Sequence, residues 1–120
     1  MHHPVPPHDV AVLDEFFERD VPSMLRFSRD AWLPELQTSF LKLASAIRSE
    51  DIDQVRFFTH RIRGCAAMGG AHEIVANMNE VNGLAGDGRW TTVRSRFRDA
   101  NYLLRTIANW VTNEYNNLAS

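Results

Sequence analysis

Apolar residues recur along this chain at steps of three and four, and strand-like alternation is almost absent. Leu33, Leu36, Phe40, Leu43 and Ile47 form one stripe, as a helix that buries a single face requires. Ala71, Ile74, Met78, Val81 and Ala85 form another. The longest comprises Trp90, Val93, Phe97, Ala100, Leu104, Ile107, Val111 and Leu118, in a heptad-like rhythm. Between the first two lies a further helical run, opened by the capping pair Asp51 and Gln54 and punctuated at Gly69 and Gly70.

Breaks fall where prolines and glycines stand. Val12, Leu13, Phe16 and Phe17 make a short amphipathic piece that Pro22 ends, with Pro22 tolerated at the first position of a second short piece. Pro34 is expected to open the longer helix, and Gly69–Gly70 and the stretch AGDG at 85–88 separate the later ones. The pattern predicts an all-α fold: an antiparallel up-down-up-down four-helix bundle with one or two short extra N-terminal helices. Residues 1–8, rich in Pro and His, read as a flexible linker or tail, and residues 9–120 as one helical domain. A disordered tail outweighs weak metal binding by His2, His3 and His8.

Composition narrows the function classes. The chain has 120 residues, enough for one core, and a net charge of −2, which gives no global attraction to nucleic acid or anionic membrane. Cys65 is the only cysteine, so neither a disulfide framework nor a thiolate cluster is available. No apolar run approaches the roughly 20 residues that span a bilayer. A cytoplasmic monomer is the expectation.

The helix around His60 carries the candidate chemistry. At 100° per residue, Val55, Phe58, Ile62, Cys65, Ala66 and Gly69 fall opposite His60 and make the core face. Asp53, Arg56, Phe57, Arg63, Gly64 and Ala67 share its side. The histidine is therefore expected at the surface, flanked by two cations and covered by nothing bulky. Glycine in a helix interior costs about 0.8–1.0 kcal/mol relative to alanine. Gly64 makes sense where a side chain would obstruct close approach of another protein. The bland alternative is a solvated arginine face with Gly64 serving helix packing.

His60 with Ile62, Arg63, Gly64, small Cys65, Ala66 and Ala67, then Gly70 and Ala71, resembles the signature of histidine-containing phosphotransfer (HPt) domains of two-component phosphorelays. The flanks LASAIRSEDIDQVRFFTHRIRG and AGDGRW resemble the family too, and the similarity runs from about Met24 to Val111. It implies a four-helix bundle in which His60 accepts a phosphoryl group from a receiver-domain aspartyl phosphate and passes it to another receiver aspartate. It also implies that Arg63 stabilises phosphoryl charge, that Gly64 permits close partner approach, and that Arg56, Phe57, Arg61, Ala67 and Met68 form the docking surface. No metal or cofactor is expected on this chain, and Mg2+ would arrive with the receiver. The chain could be free-standing or a module of an inner-membrane hybrid sensor kinase. It has no glycine-rich phosphate loop followed by lysine, so ATP-dependent kinase activity is not expected of it.

Three positions depart from the family pattern: Arg63 replaces the usual lysine, Met68 a polar residue, and Gly69 a bulky aliphatic, which is expected to loosen the end of the motif helix. Two rival readings differ in class. One is a receiver-docking module that carries no phosphate. The other is a metal-binding bundle using His60 and His72 with Glu73 or Glu80, although His72 reads as a solvent-facing residue of a first helical turn. Cys65 reads as a small core residue without redox function.

Overall fold

A computed structural model describes residues 5–118 of the chain. The described residues form six α-helices and no strand: α1 (Ala11–Phe16), α2 (Val21–Phe27), α3 (Leu33–Arg48), α4 (Ile52–Met68), α5 (His72–Gly86) and α6 (Trp90–Leu118). The last four make the bundle, with α3 beside α4, α4 beside α5, and α5 beside α6, which closes on α3. At 29 residues, α6 rises about 43 Å and runs along most of the 48 Å long dimension.

The predicted core stripes of α3 and α5 are buried throughout: Leu33, Leu36, Phe40, Leu43 and Ile47 on α3, and Ile74, Met78, Val81 and Ala85 on α5 behind Ala71. On α6, Val93, Ala100, Leu104, Ile107 and Val111 are buried, while Trp90 and Phe97 are partly so. Leu118, expected on that stripe, is 47% exposed at the last described residue of α6, where it lines a hollow with Pro22, Arg26 and Tyr115.

Pro34 stands in the first turn of α3, as expected, but no break separates that helix from α2. A π-helical stretch, Ser28–Trp32, joins α2 to α3, and the N–H of Leu33 bonds back to the carbonyl of Ser28. Proline lacks an N–H and crowds the carbonyl four residues earlier; the wider π turn accommodates both while φ and ψ stay helical at Phe27, Trp32 and Leu33. The same segment places the Trp32 indole in the core, where Nε1 donates to the Cys65 carbonyl on α4 at 2.7 Å.

That indole corrects the reading of Gly69. A Cβ on Gly69 would overlap the six-membered part of the Trp32 ring. The glycine makes room for the tryptophan and fastens the end of α4 instead of loosening it. Gly70 then takes φ +80°, and the N–H of Ala71 bonds to the Ala66 carbonyl at 2.9 Å, closing α4 with a Schellman-type cap. At the other end, Asp51 caps α4 by accepting from the N–H of Gln54 at 3.2 Å.

The boundary of the tail also shifts. His8 is only 8% exposed: its ring stacks on Trp32 and meets Trp110 edge-on. The N–H of Asp9 bonds to the Gly70 carbonyl at 2.9 Å. An aromatic cleft at the end of the bundle thus recruits the segment just before α1, and His8 belongs to the domain. His2 and His3 lie outside the described residues.

Candidate functional site

The α4 helix carries its apolar residues on one face and its candidate chemistry on the other. Val55, Ile62 and Ala66 are fully buried, Phe58 and Cys65 partly, and Thr59 joins them with its hydroxyl turned back to the Arg56 carbonyl at 3.1 Å. His60, Arg56, Phe57, Gly64 and Ala67 are exposed and Arg63 is half-buried. The helical period alone puts His60 outside, because a shift by one residue would bury it and expose Ile62.

Arg63 reaches the imidazole, with Nη2 3.4 Å from His60 Nδ1. Its Nη1 donates to Asn79 Oδ1 on α5 at 2.6 Å. The Arg56 guanidinium reaches α5 as well and lies against Gly86. Together these contacts give the antiparallel register of α4 and α5, in which Asn82 stands level with His60. The Asn82 Oδ1 is buried and has no hydrogen-bond partner among the described residues.

The surface beside the histidine is low on both helices. A Cβ added to Gly64 or to Gly83 would meet nothing within 4 Å. So Gly64 serves no helix packing among the described residues. Asn79, Asn82, Gly83 and Gly86 form one face of α5, at spacings of three and four. None of them entered the sequence-based site, yet a signal was present: a helical stripe of poor helix formers, the same anomaly that drew attention to Gly64.

The other flank of α4 is different. Arg61 pairs with Glu35 of α3, Nη2 to Oε1 at 2.9 Å, so its charge is already compensated. Met68 is half exposed and, with Val12, Leu13, Phe16 and Phe27, lines an apolar hollow of about 530 Å³. Phe57, 55% exposed, packs edge-on against Phe58. The exposed face around His60 therefore has a cationic side toward α5, formed by Arg56 and Arg63, and an apolar side toward α1.

The Cys65 thiol is partly buried on the inner side of α4. Burial, with a smaller push from Glu35, raises its pKa to about 11 despite Arg61 nearby. Among the described residues no cluster of three or more His, Cys, Asp or Glu is placed to hold a metal. His72 is solvent-facing at the first position of α5, its Nε2 3.5 Å from Asp9 Oδ2. In the α4–α5 register it lies about 15 Å along the axis from His60, ten residues at 1.5 Å each, too far to share an ion. No helix among the described residues is long and apolar enough to cross a membrane.

No protein-family model matches the chain, and neither does any curated protein sequence. Among solved structures, the crystal structure of histidine-containing phosphotransfer protein B (HptB) from Pseudomonas aeruginosa PAO1 superposes on it with a TM-score of 0.77 at 18% identity. The superposition covers 95% of this chain and 98% of that one. The chain has the fold of that phosphotransfer protein over nearly its whole length.

Proposed function

We propose that this protein is a phosphorelay intermediate in which His60 receives a phosphoryl group from the aspartyl phosphate of a receiver domain and passes it to a second receiver. The observation that carries this reading is the exposed His60 with the Arg63 guanidinium 3.4 Å from its Nδ1, on an open helical face of a bundle with the phosphotransfer fold.

A neutral imidazole has one nitrogen lone pair free to attack. With Nδ1 turned to Arg63, Nε2 is the nitrogen for bond formation, and attack requires the ring proton to sit on Nδ1. An exposed ring reaches that tautomer by exchange with water. The new N–P bond forms as the bond between phosphorus and the aspartyl oxygen breaks, and the aspartate leaves as a carboxylate with the bonding pair. The ring keeps its Nδ1 proton and becomes a phosphorylated imidazolium. Such a transfer depends on positioning and charge stabilisation, which Arg63 and Arg56 supply from one side. The bare surface of Gly64 and Gly83 lets a second protein bring its phosphoryl group in line. Mg2+ is expected to come with the receiver.

Incubation with receiver domains charged by a small phosphodonor tests this, with His60→Gln and ATP alone as controls. Acid-labile, base-stable label on wild type only is the expected result. No label from receivers that demonstrably bind the protein would overturn the relay and leave a docking module.

A further inference from the structure

The place of Arg63 is decided on the neighbouring helix. Its contact with Asn79 Oδ1 is short, 2.6 Å, whereas its contact with His60 Nδ1 is long, 3.4 Å. Hydrogen bonds weaken beyond about 3.2 Å, so the asparagine, not the imidazole, holds the guanidinium. We propose that Asn79 is a positioning residue for phosphoryl transfer at His60, anchoring Arg63 beside the reacting ring from α5. The inference rests on His60 being the phosphoryl acceptor.

The residue type fits the task. A free arginine side chain loses about 2 kcal/mol of rotamer freedom when it is ordered. An anchor already in place at α5 meets that loss before the partner arrives, which leaves more of the binding free energy for the transfer. A carboxamide oxygen does this without adding charge, whereas a carboxylate would offset the cation. The contrast lies within α4 itself: Arg61 is held by the carboxylate of Glu35, at 2.9 Å. The nearest carboxylate on α5, Glu80, is turned to Arg96 of α6, also at 2.9 Å, and does not compete for Arg63. One of the guanidinium's five N–H donors is engaged by Asn79; with the ring proton on Nδ1, as attack by Nε2 requires, His60 accepts none, and the others stay available for phosphoryl oxygens.

The test compares wild type with Asn79→Ala, Asn79→Asp, Arg63→Ala and the double variant Asn79→Ala/Arg63→Ala. Single-turnover transfer from a charged receiver is measured beside equilibrium binding of that receiver. Asn79→Ala is expected to slow transfer about tenfold, since misplacing a catalytic group by an ångström costs up to about a hundredfold, with receiver affinity changed less than twofold. The double variant should be no slower than Arg63→Ala alone, the sign of two residues acting as a unit. The side-chain 15N–H signals of Arg63 should be resolved in wild type and in Asn79→Asp, and averaged by rotation in Asn79→Ala. Wild-type transfer by Asn79→Ala, independent losses in the double variant, or a loss confined to receiver binding would each overturn the proposal. If wild type takes no phosphate from any receiver, the relay reading falls and this role with it; the Arg63 signals then still show whether the anchor exists.

Discussion

Acid should loosen this protein at one identifiable residue. His8 is 92% buried by the complement of its 8% exposure, between Trp32 at 5.5 Å and Trp110 at 5.4 Å ring separation. Neither of its ring nitrogens has a hydrogen-bond partner among the described residues. Burial lowers its pKa from 6.5 to about 4, with the Asp9 carboxylate offsetting part of the effect. In any state that frees the ring, its pKa returns to about 6.5, so that state binds more protons between pH 4 and 6.5. Stability therefore rises with pH across this window, is complete above about 6.5, and is lost as pH falls toward 4. At 1.36 kcal/mol per pH unit the gap amounts to about 3 kcal/mol. The carboxyls of Asp20 and Asp30 are also held below their ordinary value, by hydrogen bonds from Ser23 and Arg29. Their contribution is present above the ordinary carboxylate range and fades below it, so it lies mostly under the His8 window. Urea unfolding from pH 4 to 7.5, followed by tryptophan fluorescence and far-UV circular dichroism, should be run on wild type and on His8→Leu. Wild type should lose about 3 kcal/mol more than the variant over this range. If the segment before α1 lifts off on its own, fluorescence should change before the helical signal does, because Trp32 and Trp110 flank the ring. Parallel stability curves for the two proteins, or a His8 resonance titrating near 6.5 in the native state, would refute the account.

Further substitutions probe the site and its support. Gly64→Ala should raise stability by about 1 kcal/mol, since the added Cβ meets nothing within 4 Å. The same change should weaken receiver binding, measured by titration calorimetry; unchanged or lower stability in denaturant melts would contradict the open-face geometry. Gly69→Ala should destabilise by about 2–3 kcal/mol, because its Cβ overlaps the Trp32 ring. The loss should shrink in a Trp32→Leu background, and additive losses in denaturant melts would show that the two do not share space. Trp32→Phe by itself leaves the Cys65 carbonyl without its 2.7 Å donor, for an expected loss of about 1–2 kcal/mol in the same assay. His60→Gln should keep stability within about 0.5 kcal/mol of wild type, as a substitution on an exposed helix face does. A larger loss in a thermal melt would mean that the histidine serves the fold.

Much of this protein is readable in one dimension. The stripes of α3, α5 and α6 follow from a period of 3.6 residues, which any single helix expresses without reference to its neighbours. The same period placed His60 outside and Gly64 beside it, and the residue types around them carried the resemblance to phosphotransfer domains. What needed the third dimension depends on how helices sit against one another. The hold of Asn79 on Arg63, and the position of Asn82 level with His60, depend on the register of α4 against α5. The need for glycine at position 69 arises because a π-helical turn 37 residues earlier aims Trp32 into that spot. His8 joins the core only because Trp32 and Trp110, 78 residues apart in the chain, converge around it. Periodicity records which face a residue occupies, since that is settled by bonds within one helix. It records nothing of which residue stands opposite, because the axial offset of two packed helices is decided by side chains meeting across the gap.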